Sequence, residues 1–263
     1  GYNLKGIATV TRQKYLTASE KGPWANSYDR WRNDNLTNRY QGVQFGYTSA
    51  GRYTSWNDIW NYYGFKERDV LPGDYKYEDW NGDGEINGQD EHPFAFDQTP
   101  WLQFSLNAGL QWKNFDFNML LQGSALGSME YKEPLHEIWG KNGGGALTQF
   151  LDRWHPVDPK ADPYDPSTVW TSGHYAYTGR WAKNNSAFNR VSTAYLRLKS
   201  IELGYTFPKL KQIPNASLRV YANAYNLLTF TGVKFVDPEH PDDDLGRMYP
   251  LNKTYTLGVS LSF

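Results

Sequence analysis

The 263-residue chain contains no cysteine, which excludes disulfides and thiolate metal sites and leaves the compartment open. It also lacks any apolar run near the roughly 18 residues that a membrane-spanning helix needs. An excess of one charge sign is missing too. Its 27 Lys plus Arg stand against 28 Asp plus Glu, so nothing points to nucleic acid or an anionic surface. His92, His136, His155, His174 and His240 fall in loop regions with no nucleophile or paired carboxylates at a recognisable spacing, so no catalytic role is assigned. A start methionine and a signal peptide are absent before Gly1, which predicts a processed chain or a fragment. The low mean hydropathy does not exclude a membrane, because a barrel wall alternates its faces and adds long polar loops.

What the chain has in quantity is aromatics, with 20 Tyr, 13 Phe and 11 Trp. Such an excess suits interfacial girdles and equally suits stacking on sugars. It also has long runs of period-two alternation, each of which predicts a strand with two unlike faces. In Thr254 to Phe263, Tyr255, Leu257, Val259, Leu261 and Phe263 are apolar while their neighbours are Thr, Gly or Ser. In the hairpin Trp101 to Ala125, two such arms flank a tight turn at Lys113-Asn114. Each arm has about the 9 to 11 residues that a tilted strand needs to cross a bilayer. A sandwich strand averages about half that length.

Taken in order, Gly1 to Arg12 is a first strand and Gln13 to Arg39 a charged, aperiodic surface loop. Tyr40 to Tyr47 and Arg52 to Trp60 read as short strands around Ser49-Ala50-Gly51. Leu126 to Thr193 has no periodicity and reads as a very long loop. Its Trp139, Trp154, Trp170 and Trp181 either stack on a ligand or pin the loop onto itself. In Tyr195 to Phe207 the apolar set changes phase after Leu198, which predicts a β-bulge near Lys199-Ser200. Pro208 to Asn215 is a turn. The next strand sets Leu218, Val220, Ala222 and Ala224 outward and Arg219, Tyr221, Asn223 and Tyr225 inward. The acidic loop Asp237 to Asp244 reads as a solvated tip, with a bound cation as the alternative.

One loop carries a metal-like spacing. Asp79, Asn81, Asp83, Glu85, Asn87 and Asp90 surround Gly84 at the positions an EF-hand-type calcium loop uses, with Asp90 where that motif has Glu. Calcium fits this spacing, and so does an acidic, Gly-rich turn held by its own Asx hydrogen bonds.

Several stretches together resemble the SusC/RagA family of TonB-dependent outer-membrane transporters. They are Leu71-Pro72-Gly73-Asp74-Tyr75-Lys76-Tyr77, Asp79-Trp80-Asn81-Gly82-Asp83-Gly84, Trp112 to Phe117, Tyr195 to Tyr205, Asn226-Leu227-Leu228-Thr229, Asp237-Pro238-Glu239, Tyr249-Pro250 and the terminal strand. The resemblance runs from about Phe45 onward, while the first 40 residues match only in character. It implies an all-β fold, a transmembrane antiparallel β-barrel of about 22 strands with a plugged lumen. Residues 1–263, with about eight strands, would be its C-terminal part, without the plug, the TonB box or the N-terminal strands. Stretches 61–98, 126–193 and 232–252 would then be extracellular loops, and the short turns periplasmic.

The implied function is TonB-driven import of an oligosaccharide, or of peptides in some members, through the outer membrane of a Gram-negative, Bacteroidota-like bacterium. A SusD-like lipoprotein captures the cargo, TonB supplies the drive, the rest of the barrel and the outer-membrane lipid surround this part, and no enzyme activity is involved. Arg219, Tyr221, Asn223 and Tyr225 would face the lumen, and Phe263 would serve as the barrel-insertion signal. The alternative is a secreted calcium-dependent carbohydrate-binding β-sandwich, which explains the Asp79–Asp90 loop and the aromatics but not the strand lengths.

Overall fold

The computed structural model describes residues 1–18, 37–62, 70–132, 135–136, 138, 147–178, 185–208, 216–239, 248–249 and 251–262. Its strands are β1 (Tyr2–Val10), β2 (Gln44–Gly46), β3 (Ser49–Arg52), β4 (Tyr75–Tyr77), β5 (His92–Ala95), β6 (Leu102–Trp112) and β7 (Phe115–Ala125). They continue with β8 (Ser128–Glu130), β9 (His155–Pro156), β10 (Trp170–Thr171), β11 (Arg190–Ser192), β12 (Tyr195–Phe207), β13 (Ser217–Thr231) and β14 (Thr254–Ser262). The six long strands form one antiparallel sheet in the order β1-β6-β7-β12-β13-β14, and the short ones pair two by two outside it. No helix among the described residues is long and apolar enough to cross a membrane.

The register shows why these sequences pair. Across all six strands, Tyr2, Leu110, Phe117, Leu203, Ala222 and Leu257 form one row. Leu4, Ala108, Met119, Ile201, Ala224 and Tyr255 form the row beside it. Both are wholly apolar and on one face, since residues directly opposite in a ladder share a side. Between these rows, on the other face, run Asn3, Gly109, Asn118, Glu202, Asn223 and Thr256.

The apolar face is uncovered. Leu257 is 85% exposed and Tyr2 87%, and no second sheet packs on it among the described residues, so the sandwich reading fails. Apart from Ala224 and Tyr195, the buried apolar residues among those described lie outside the large sheet, in the connections. The β7 arm of 11 residues spans about 34 Å along the strand, or about 25 Å when tilted by about 40°, the height of a barrel's apolar band. One end of that band is lined by aromatics in contact. The ring pairs Trp112–Phe115, Phe115–Tyr205 and Tyr205–Phe207 lie 6.4, 4.7 and 4.7 Å apart, as in an interfacial girdle.

All the long connections leave from the opposite end. Val10 pairs with Leu102 and Tyr195 with both Ser124 and Thr231, so 11–101, 126–194 and 232–253 share one rim, while 113–114 and 208–216 are the short turns of the other. Lys113 supplies the left-handed conformation, φ 54°, that the two-residue hairpin requires. The predicted bulge is present. Both ladders of β12 shift register between Leu198 and Ser200, and Asn226 of β13 takes φ 53° at the same level.

Two expectations need correction. Arg52 to Trp60 is not a strand through the wall, because Trp56–Asn61 forms a helix, α1, capped by the Ser55 side chain, which accepts from the Asp58 N–H at 3.2 Å. Ser followed three residues later by Asp is the capping signal that outweighs the aromatic alternation there. Tyr40 to Tyr47 likewise contributes only β2, which pairs with β5 outside the large sheet. The large sheet therefore holds six described strands, and 11–101 is a single excursion between β1 and β6. Phe263, most of 13–39 and all but Pro208 of the turn 208–215 lie outside the described residues.

The excursions fold together as a crown. Tyr47 N–H donates to the Asn185 carbonyl at 3.0 Å, and Ala187 N–H returns to the Tyr47 carbonyl at 2.9 Å. Gly46 allows this approach, since a Cβ there would stand 1.6 Å from the Asn185 oxygen. Around the link pack Tyr47, Tyr75, Tyr77, Ala176, Ile86 and Phe188. Leu71-Pro72-Gly73-Asp74 is a type II turn, with Gly73 at φ 94° under the Trp154 ring and the Asp74 N–H bonded to the Leu71 carbonyl at 3.1 Å.

A charge placed on the apolar face separates this architecture from a soluble one. Ile201→Arg, near the middle of the band, should destabilise the intact barrel in lipid by about 2–4 kcal/mol, while Asn107→Arg on the polar face should cost less than about 1 kcal/mol. Urea titration of vesicle-inserted protein, read by heat-sensitive gel mobility, measures both.

Candidate functional site: the polar wall

The polar face carries the side chains able to meet a solute. Near its short-turn end, Arg219 of β13 lies between Asp116 of β7 and Glu202 of β12. Its Nε donates to Asp116 Oδ1 at 3.1 Å and its Nη2 to Glu202 Oε1 at 2.6 Å, with a second bond from Nη2 to Asp116 Oδ2. The guanidinium also sits 4.8 Å from the centre of the Tyr221 ring, which lies over Gly258. Asn223 reaches Glu202 at 3.4 Å, and Tyr225 pairs with Ser200 and Thr254 on the same face. The four residues predicted to share the wall's polar side are thus brought onto one face, and Asp116 and Glu202, which the sequence reading passed over, complete the cluster.

A second cluster stands nearer the crown. Arg197 is 1% exposed, and it donates to Asp237 at 2.5 Å, to Glu239 at 2.5 Å and to Thr229 Oγ1 at 3.0 Å. The Tyr195 hydroxyl donates to the other Glu239 oxygen at 2.7 Å. The acids expected at a solvated tip therefore include two folded back onto the wall. A buried guanidinium with five fixed donors selects paired carboxylates, and that need outweighs the exposure usual for loop acids. Asp242, Asp243 and Asp244 lie outside the described residues.

Between this strap and the faces of β1, β6, β7 and β12 lies a pocket of about 530 Å³, lined by Gln103, Ser105, Gln122, Ser124, Thr193 and Glu239 among others. Alternate positions on β6 and β7 supply the amides and hydroxyls, a signal present in the sequence as Gln103/Ser105 and Gln122/Ser124.

In the loop Asp79–Asp90 the side chains are engaged with the backbone. Asp79 accepts from Gly82 at 2.8 Å, Asp83 at 3.2 Å and Gly84 at 2.8 Å, and Asp83 from Glu85 at 2.8 Å. Asn81 accepts from the Asp83 N–H at 3.0 Å, and Asn87 caps Gln89 N–H at 2.7 Å. Asp90, fully buried, accepts from Trp80 at 2.9 Å and Asn87 at 2.7 Å. This is the self-bonded Asx arrangement. No group of three or more His, Asp or Glu poised around a cation occurs among the described residues.

Of the crown tryptophans, Trp154 covers Gly73, and Trp170 meets Tyr177 edge-on at 5.4 Å, while Trp139 and Trp181 lie outside the described residues. The most exposed described tryptophan of the connections is on α1. Trp60 is 65% exposed, and Trp56 stands 6.0 Å from it and 6.5 Å from Tyr164. Burial would push the Asp58 carboxyl up, but bonds from Lys76 and the Thr54 N–H outweigh it and hold it below the usual carboxylate range. Burial pushes the Tyr175 phenol up to about 12.

No family model matches the chain. It is 28% identical over 211 residues to a TonB-dependent receptor of Formosa agariphila, a match covering 74% of this chain and 19% of the relative. With the TonB-dependent receptor SusC of Bacteroides thetaiotaomicron it shares 26% identity over 210 residues, covering 79% of this chain and 19% of the relative. The chain is similar in sequence to TonB-dependent receptors, SusC among them. It spans about a fifth of the length of these curated relatives. The RagAB peptide importer in its "closed-closed" state aligns with all of the chain and 27% of its own, at a TM-score of 0.56 and 20% identity. A second structure, the RagAB peptide transporter, covers 84% of this chain and 22% of its own at a TM-score of 0.53 and 20% identity.

Two substitutions probe these sites in the intact receptor. Arg197→Met should free residues 233–239 at a cost of about 2–3 kcal/mol, the low side for a broken buried pair because Glu239 remains partly in water. Faster amide exchange and protease cleavage confined to that segment would register it. Asp79→Ala should raise exchange at Gly82, Asp83 and Gly84 by about tenfold, with Asp79→Asn in between.

Proposed function

We propose that this chain is a stretch of wall of an outer-membrane importer, in which TonB drives uptake of an oligosaccharide and a SusD-like surface lipoprotein captures it above the crown. The observation that carries the reading is the register itself: apolar rows uninterrupted across six strands on one face, and hydrogen-bonding side chains across the other. A wall of that kind offers lipid one surface and a solute the other. Kinship with SusC favours a TonB-dependent route, and TonB would engage a region outside this chain. The host would be a Gram-negative bacterium of the Bacteroidota.

Peptide cargo is the second reading, favoured by the likeness to RagAB, which is a peptide importer. The polar wall weighs toward a neutral cargo, because Arg219 and Arg197 are each already matched by two carboxylates. Such clusters have little left to offer the charged ends of a peptide.

Deleting the receptor gene should abolish growth on at least one oligosaccharide while leaving growth on oligopeptides unchanged. Loss on peptides alone would exchange the cargo, and recovery of the protein in the soluble fraction would end the membrane reading.

A further inference from the structure

We infer that the pocket under the Asp237–Glu239 strap is a binding subsite for one neutral, polyhydroxylated ring of the cargo, an inference that rests on the import reading above. Its volume of about 530 Å³ lies within the range of small-ligand sites. Gln103 and Gln122 offer both amide donors and carbonyl acceptors, and Ser105 and Ser124 add hydroxyls that can do either. A ring bearing several hydroxyls needs such a mixture of donors and acceptors within a few ångströms. Ile7 and Leu120, the apolar exceptions on this face, supply a surface for its C–H side.

Thr193 stands at the edge of the pocket. It lines the pocket and is only 4% exposed, and its Oγ1 is buried without a hydrogen-bond partner. That hydroxyl is packed against Gly127, so a ligand would meet it only after the Thr193 side chain turns toward the pocket. Glu239 lines the pocket from the strap. One of its oxygens is held by Tyr195 and the other by Arg197, so the carboxylate is fixed in place and keeps lone pairs for a ligand hydroxyl. The strap also sets the sign of charge that is tolerated. Two carboxylates face one guanidinium, and the residual negative charge disfavours acidic sugars.

This chain has no cysteine, so once any cysteine elsewhere in the complete receptor is replaced by serine, a single thiol in the pocket is directly addressable. In the complete receptor in detergent, Gln122→Cys is labelled with a neutral, water-soluble thiol reagent. The labelling is repeated with neutral hexasaccharides built from glucose, xylose or mannose, and with a hexagalacturonate. At least one neutral hexasaccharide should slow labelling about fivefold or more, the hexagalacturonate should not, and Val157→Cys in the crown should be indifferent to all of them. Protection by none of the neutral sugars, or by the galacturonate alone, overturns the subsite, as does a Gln122→Cys that cannot be labelled because the rest of the receptor fills the pocket.

Uptake separates this inference from the one beneath it. In cells, Gln103→Ala combined with Gln122→Ala should raise the half-saturating concentration of the protecting sugar about tenfold with its maximal uptake unchanged. Unaltered uptake in that variant, with uptake lost in the gene deletion, removes the subsite and leaves import standing. Uptake of every sugar that survives the deletion removes import, and the subsite with it.

Discussion

A backbone surrounded by hydrocarbon has no water to bond, so each of its N–H and C=O groups must be answered by a neighbouring strand. That demand accounts for the six long strands β1, β6, β7, β12, β13 and β14, each paired antiparallel with its neighbour. It leaves the side chains one degree of freedom, the choice of face. The apolar rows through Leu203 and Ile201 and the polar row through Glu202 are the sequence's response to it. The usual arrangement is inverted as a result. Tightly packed apolar residues such as Tyr47, Tyr75 and Phe150 are in the connections, while the large sheet turns Leu257 and Val259 outward.

Charge is placed by the same logic. Arginines on the polar face occur where carboxylates already stand, Arg219 between Asp116 and Glu202, and Arg197 beneath Asp237 and Glu239. Both clusters spend their donors internally, so hydroxyls and amides are the groups left free on the polar face. The face is therefore polar without being strongly ionic, and on the import reading a solute would meet replaceable hydrogen bonds there.

Period-two alternation made the sheet legible wherever both faces are under pressure. The hairpin at 101–125, the shared face of Arg219, Tyr221 and Asn223, and the phase change at Lys199 could all be seen before any coordinates. The reading failed where a short element borrows strand-like residues. Tyr53, Trp56 and Trp60 alternate loosely, but Ser55 and Asp58 close a cap that makes the segment a helix. It also missed partners distant in the chain. The pairing of β1 with β6 skips about ninety residues, and Arg197 finds its acids about forty residues away, on a loop whose composition suggested only solvent. Neither separation leaves a local signature, and Thr193 became notable only when its hydroxyl was seen to lack a partner.

The link between Tyr47 and Asn185 joins the excursion after β1 to the one after β7. With Gly46 admitting the Asn185 carbonyl and Phe188 seated against Tyr75 and Tyr77, the two are one unit with two points of entry into the sheet. Receptor loops are commonly thought of as separate modules that diversify one at a time. Here a lineage that refashioned either excursion alone would leave the other with a tyrosine cluster missing its counterpart and a backbone without its ladder. The interlocked crown is therefore constrained as a pair, and the parts outside the seam, such as the lobe around Tyr164 and the exposed helix that carries Trp60, are free of that constraint.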